Sequence, residues 1–409
     1  MTADEADGVF FREWAAREPG ETRGLARARD LAARLGLLHL DLPLLTVVGS
    51  KGKGTAATYA SAYLVAAGQR VCTVTSPGLR SNRDRVRLDG ESISEAGLRS
   101  LARTLDEAMS GLPPRTDGYL SPVGLFTLAG ALHARETGAD VLVLEAGMGG
   151  RSDEVSLFSP AVVAVTPIFA EHVGVLGDTP AEIAADKAGV ITDETMFVVS
   201  APQAPDVAAV LDGATAEAGR AKISYAPCSG ATADLLPAGL GRGSAELGCA
   251  AALRLLEAYG LEWPEAERLR PVLGSLILPG RLSWHRFGGT ELLADSAIDG
   301  TGVAAALDAA RARWGSIDHV LVCLPDHKDL DGAITALGGL PVTSVRLPYD
   351  HLRFERPLPP AWDTVESADL SPESIGALGA RVVALGTVYF TGLVLDAIGA
   401  ETERLFTAP

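Results

Sequence analysis

The seven residues Gly49-Ser50-Lys51-Gly52-Lys53-Gly54-Thr55 bring together three glycines and two lysines, a combination suited to gripping a polyphosphate. Glycines let backbone N–H groups come close to phosphate oxygens, and a lysine offsets their charge. Lys53 is the cation expected in that role, and the Thr55 hydroxyl is expected to face phosphate or Mg²⁺. The spacing departs from the common P-loop. Two residues rather than four precede the Gly52-Lys53 pair, and Gly54 separates Lys53 from Thr55. A surface turn rich in glycine and lysine is the plain alternative, and the flanking elements weigh against it.

A phosphate loop works at a helix N-terminus, where unpaired N–H groups and the positive end of the dipole favour anions. Leu44–Val48 is a short apolar, β-branched run of the kind that forms a buried parallel strand. Residues 56–67 are rich in alanine and carry Tyr59, Tyr63 and Leu64 at helical spacing. Residues 71–75 read as a second strand, which gives a βαβ start and favours a parallel sheet. Residues 23–37, 126–136 and 181–190 read as helices, and 139–144, 161–166 and 197–199 as strands.

Four polar clusters follow, at or just beyond the C-terminal ends of predicted strands, where open parallel sheets bind ligands. They are Thr75-Ser76-Pro77-Gly78-Leu79, the run from Glu145 to Asp153, the run from Thr166 to Gly177, and Asp186-Lys187-Ala188-Gly189-Val190 in the next helix. A carboxylate such as Glu145 at the end of an apolar strand needs a partner, so a structural ion pair competes with a ligand role. Ser76 before a proline suits a turn, His172 an ordinary loop, and Lys187 a solvated helix face.

Bulk properties narrow the class. A chain of 409 residues suggests two domains. Acidic residues outnumber basic ones by 52 to 35, and the net charge of −17 disfavours nucleic acid and anionic membranes as partners. No apolar run is long enough to span a bilayer, and a cytoplasmic location is expected. Cys72, Cys228, Cys249 and Cys323 lack paired spacing, so buried thiols are expected rather than a zinc site or disulfides. The Pro279-Gly280 pair marks a composition change, which predicts domains over 1–279 and 280–409. Residues 291–295, 319–324, 343–347 and 381–385 read as strands of the second.

The ordered clusters resemble the folylpolyglutamate synthase and dihydrofolate synthase family, a branch of the Mur ligases. Gly49 to Thr55 matches its Gly-Thr-Asn-Gly-Lys-Gly-Ser, Ser76 to Leu79 its Ser-Pro-His-Leu with glycine for histidine, and Glu145 to Arg151 its Glu-Val-Gly-Leu-Gly-Gly-Arg. Pro279-Gly280-Arg281 and Gly386-Thr387-Val388-Tyr389 match later motifs. The resemblance implies an α/β fold: a Mur-ligase-like P-loop parallel-sheet ATPase domain followed by a smaller α/β C-terminal domain. It implies an ADP-forming ligase that activates a small carboxylic acid as an acyl phosphate and joins it to an amino acid such as glutamate. By position, Gly49, Ser50, Gly52, Lys53, Gly54, Thr55, Arg281 and Asp295 would bind ATP. Ser76, Glu145 and His172 would hold Mg²⁺, and Lys187 would be the lysine that the family carbamylates. Lys53, His172 and Lys187 would form the catalytic set. The protein is expected to act as a monomer or small homo-oligomer.

Departures from the pattern are equally legible. Asp295-Ser296-Ala297-Ile298-Asp299-Gly300 stands for Asp-Gly-Ala-His-Asn-Pro, and Asp153-Glu154-Val155-Ser156 for Asp-Ala-Thr-Asn. Val123-Gly124 replaces Phe-Glu, and Ala245 with Gly248 removes two amides. They point to a diverged ligase with a folate-type acid or a replacement for it. The alternatives are a nucleotide-binding protein without ligase activity and a phosphotransferase that releases the phosphorylated product. Substrate shape would depend on loops such as 80–89 and 117–123, where Arg80, Arg83, Arg85 and Arg87 could attract an anionic acid.

Overall fold

The computed structural model describes residues 1–116, 118–225, 233–237, 239–349 and 352–409; Cys228 and Asp117, the first residue of the 117–123 loop, lie outside them. The chain divides into two compact units, Met1–Leu276 with Arg404–Pro409, and Ile277–Glu403.

In the first unit, helices α1 (Ala3–Ala15) and α2 (Leu25–Arg34) precede strand β1 (Leu44–Val48) and helix α3 (Lys53–Ala66). Next come β2 (Val71–Val74), β3 (Val86–Leu88), β4 (Glu91–Ser92), α4 (Glu95–Ser110), α5 (Pro122–Thr137) and β5 (Val141–Glu145). β6 (Val162–Val165), α6 (Pro180–Ala188), β7 (Phe197–Ser200), α7 (Pro205–Glu217), β8 (Lys222–Ser224), α8 (Arg242–Ala258) and α9 (Ala266–Gly274) complete it. The strand order is β4-β3-β2-β5-β1-β6-β7-β8. β1 pairs in parallel with both β5 and β6, which fixes Val47 beside Glu145 and Val48 beside Val165.

The parallel βαβ expectation holds through the middle of this sheet. At one edge β3 and β4 add as antiparallel strands, because the short link Asp89-Gly90 permits a hairpin where a parallel return needs a crossover. α3 is buried on nearly every side, lying between the sheet and helices α8 and α9, so its sequence is apolar all round. α5, largely apolar as far as Leu132, packs in the other core, where Phe126 stacks on Phe10 of α1 at 4.0 Å.

The second unit contains β9 (Ser283–Phe287), β10 (Thr290–Asp295), α10 (Gly300–Trp314), β11 (His319–Cys323), α11 (Leu330–Leu337) and β12 (Val342–Arg346). β13 (Asp363–Glu366), α12 (Pro372–Gly376), β14 (Arg381–Gly386) and α13 (Val388–Ala397) follow. Its order is β13-β12-β11-β14-β10-β9, parallel except for the β9–β10 hairpin, with a core on each face. Cys72, Cys249 and Cys323 are buried thiols, as expected. Among the described residues no helix is long and apolar enough to cross a membrane.

Candidate functional site

β1 runs at its C-terminal end into Gly49, where φ is 132° and a Cβ would strike the Thr166 hydroxyl and backbone. Only glycine suits that position. Gly52, left-handed at φ 87°, is the N-cap of α3, so the loop amides and the first turn of a 14-residue helix share one end of the sheet. Gly54 answers a different need: a Cβ there would stand 3.3 Å from Glu145 Oε2. The glycine between Lys53 and Thr55 thus lets the last residue of β5 bring its carboxylate against the first turn of α3. Thr55 itself is buried in that turn.

Two lysines converge on this loop. Lys53 Nζ donates to Gly49 O at 3.0 Å and Ser50 O at 3.4 Å. Lys187, in the last turn of α6 and 1% exposed, donates to the same Gly49 oxygen at 3.0 Å. It also pairs with Glu171 at 2.8 Å. Burial pushes the Lys187 ammonium below its usual pKa, against the pull of the Glu171 hydrogen bond and charge. For Glu171, burial acts upward but is outweighed by the hydrogen bond and charge of Lys187 and the charge of Lys53, so its carboxyl lies below the usual range. The solvated-lysine reading of Lys187 therefore gives way to a buried ammonium. Ser50 ties the loop to its neighbour, its hydroxyl accepting from Phe169 N at 3.3 Å.

Glu145, 6% exposed, accepts from Ser76 N at 2.9 Å, which joins two of the residues expected to hold metal. Ser76 Oγ in turn accepts from Arg85 at 3.0 Å, and the Arg85 guanidinium lies 4.8 Å over the Phe126 ring. Arg83 and Arg87 donate instead to Ile93 O and Asp84. His172 lies in an exposed turn at φ 48°, its carbonyl accepting from Val175 and Leu176.

In the second unit Asp295 Oδ2 accepts from Leu282 N at 2.7 Å, and Ser296 N donates to Gly280 O, so the Arg281 turn is zipped to the end of β10. Ile298 packs against the unit's core.

Two residues escaped the sequence reading. Glu171 was visible only as the neighbour of His172. Ser244 of α8 packs its hydroxyl against Gly52, in the segment read only for its missing amides. The Gly248 departure has a packing cause: a Cβ there would run into Ala56 O of α3.

The Glu145 carboxylate and Ser76 hydroxyl are hard oxygen donors that fit Mg²⁺, which takes few protein ligands and completes its shell with phosphate and water. Among the described residues no group of three or more His, Cys, Asp or Glu could hold a metal unaided. A divalent ion here would depend on phosphate oxygens.

A glycine-rich loop at a helix N-terminus on a largely parallel sheet, followed by a second parallel-rich unit, makes an α/β fold of Mur-ligase-like type. The fold matches folylpolyglutamate synthase from Thermotoga maritima with a TM-score of 0.78 at 22% identity over 97% of each chain. It matches the Mycobacterium tuberculosis folylpolyglutamate synthase complexed with ADP and AMPPCP with a TM-score of 0.76 at 24% identity over 92% of this chain and 96% of that one. In sequence, the Escherichia coli dihydrofolate synthase/folylpolyglutamate synthase is 31% identical over 269 residues, 63% of this chain and 61% of that protein. The Lacticaseibacillus casei folylpolyglutamate synthase is 32% identical over 202 residues, 48% of this chain and 47% of that one. The matched stretches span between 24% and 61% of the first such relatives. No protein-family model matches the chain. The chain is thus similar in fold to folylpolyglutamate synthases and, over part of its length, in sequence to dihydrofolate synthase/folylpolyglutamate synthases.

Proposed function

We propose that the protein is an ADP-forming ligase that joins a small carboxylic acid, of folate or pteroate type or a replacement for it, to an amino acid such as glutamate. The observation that carries this reading is the meeting of Lys53 and Lys187 on one glycine-loop carbonyl, at a helix N-terminus that also faces the Glu145 carboxylate. A relative from Escherichia coli bears the names of both synthases, and a structure of similar fold is a folylpolyglutamate synthase complex with AMPPCP and folate.

In this reading the amides of residues 49–55 bind the ATP phosphates, and Lys53 exchanges its loop carbonyls for phosphate oxygens. An oxygen of the acid attacks the γ-phosphorus and ADP leaves. The free amine then attacks the acyl carbon, inorganic phosphate departs, and the nitrogen loses a proton. Mg²⁺ held by Ser76 and Glu145, with His172 as the third proposed ligand, would supply charge neutralisation for the phosphoryl group. Gly49, Ser50, Gly52, Gly54 and Thr55 would line the phosphates, with Arg281 and Asp295 completing ATP binding; Lys187 would belong to the catalytic set and, only if carbamylated, to the metal set. The two proposed domains follow the division near Pro279, and a monomer or small homo-oligomer in the cytoplasm fits the reading.

Phosphate release from ATP, measured over panels of acids and amines, tests this. ADP and phosphate appearing only with both partners supports the ligase; AMP and pyrophosphate overturn it. Gly248, closed against Ala56, and Ile298, packed against the core, favour a second reading in which nucleotide binds without ligation. ADP binding with no turnover on any pair would select it. An acyl phosphate trapped by hydroxylamine would select a phosphotransferase.

A further inference from the structure

The segment after β5 carries a buried charge cluster that the proposed chemistry does not use. Asp153 is 0% exposed and Glu154 1%. Arg23 donates to Asp153 at 3.1 Å, to Glu154 at 3.3 Å and to Met148 O at 3.0 Å. Met148 N donates to Asp153 at 3.0 Å, so both backbone groups of Met148 are held. Two and four residues on, Gly150 N and Ser152 Oγ donate to Asp186, the neighbour of Lys187. The loop thus links Glu145 to Lys187.

Ser121, the N-cap of α5, donates to Glu154 Oε1 at 2.7 Å while accepting from Gly124 N at 2.9 Å. Gly124 is the third residue of that helix, the position from which a capping-box Glu or Gln normally reaches back to the cap. Here it has no side chain. The three atoms nearest to a Cβ built on Gly124 all belong to Glu154, among them its carboxyl carbon. A carboxylate therefore does stand at this helix N-terminus, but it comes from the other strand-end loop.

We propose that Gly124 and Glu154 are one reciprocal exchange, in which the carboxylate expected on α5 has moved to the loop after β5, and that Glu154 is a positioning residue. Glu154 acts through the Arg23–Asp153 pair to fix Met148 and so the spacing of Glu145 from Lys187. Both departures noted in the sequence then have a single cause. The functional half rests on the phosphate and metal site proposed above; the exchange itself does not.

The test is a cycle of Glu154→Ala, Gly124→Glu and the double variant, with Glu154→Gln as the mild control. Thermal midpoint and the Mg²⁺-dependent part of ADP affinity are read for each. Glu154→Ala lowers the midpoint by roughly 5–10 °C and weakens Mg²⁺-dependent ADP binding about tenfold. Gly124→Glu alone also lowers the midpoint. The double variant regains most of both losses, and Glu154→Gln stays folded with a smaller loss of binding. A double variant whose losses are merely additive overturns the exchange. Unchanged Mg²⁺-dependent affinity in Glu154→Ala or Glu154→Gln, with the wild type binding normally, overturns the positioning role. If the wild type shows no Mg²⁺-dependent ADP binding, the proposed site fails and the positioning role with it, while the midpoint cycle still decides the exchange.

Discussion

At the ends of β1 and β5 the motif residues remain polar, face one another and meet on shared atoms: Lys53 and Lys187 on Gly49 O, Ser76 on Glu145. At the end of β10 in the second unit the corresponding run has been drawn into the fold. Asp295 accepts the amide of Leu282, Ile298 leans on the core, and Asp329 caps α11 while accepting from Gly300 N. The contrast separates two kinds of requirement. Phosphate and metal demand charge in fixed geometry, which few substitutions preserve, whereas an edge that only adds ligand contacts can trade them for packing.

The largest effect that would break this comparison is at Lys53. Lys53→Ala is expected to lower ATP turnover by at least about 100-fold with the thermal midpoint nearly unchanged, measured by phosphate release and calorimetry. An active Lys53→Ala enzyme would remove the first unit's claim to the chemistry. Next is Glu171→Ala, which leaves the Lys187 ammonium buried without its carboxylate. A loss of about 3 kcal/mol in urea unfolding is expected, and a loss below about 1 kcal/mol would show that the pair contributes little.

A smaller effect sharpens the picture by pH. Burial and the adjacent Asp153 raise Glu154 to about 6, with Arg23 and Ser121 pulling the other way. In the unfolded chain its proton leaves near the ordinary value of 4.5. Between these values the folded protein binds the extra proton, so this contribution is full below the lower value and lost as pH rises through about 6. It amounts to about 2 kcal/mol. Urea unfolding from pH 4.5 to pH 7.5, compared between wild type and Glu154→Gln, reads it as a difference in slope. Identical slopes would mean that Glu154 does not hold the proton.

The central strands of the first unit and the helices α2, α3, α5 and α6 were legible because their signals are local, whereas α4, α7 and α8 were not read. Strand and helix runs around residues 44–66 carry their own periodicity, and the glycine pattern marks the turn between them. α1, over Ala3–Ala15, escaped because only a few of its residues are buried, and its role depends on distant partners such as Phe126. The edge strands β9 and β13 were missed for a similar reason: their half-exposed sequences lack an apolar run. The site shows the same limit. Lys187 could be named from a motif, but its pairing with Glu171, and Arg85 on Ser76, come from segments that only the fold brings together.

Ile298 offers the smallest test and the one aimed at the second unit. Its side chain packs beside the core of α10 and β11, and its carbonyl accepts from Asp329 N, so both parts of the residue serve the fold. Ile298→His restores the residue type of the family pattern, but it sets a polar ring where an apolar side chain packs. The expected result is a loss of about 1 kcal/mol with ADP affinity changed by less than about twofold, roughly 0.4 kcal/mol. A tenfold gain in affinity would mean that the end of β10 still presents a nucleotide contact that packing has not replaced. The two strand ends would then differ by one side chain rather than by what each is built to do.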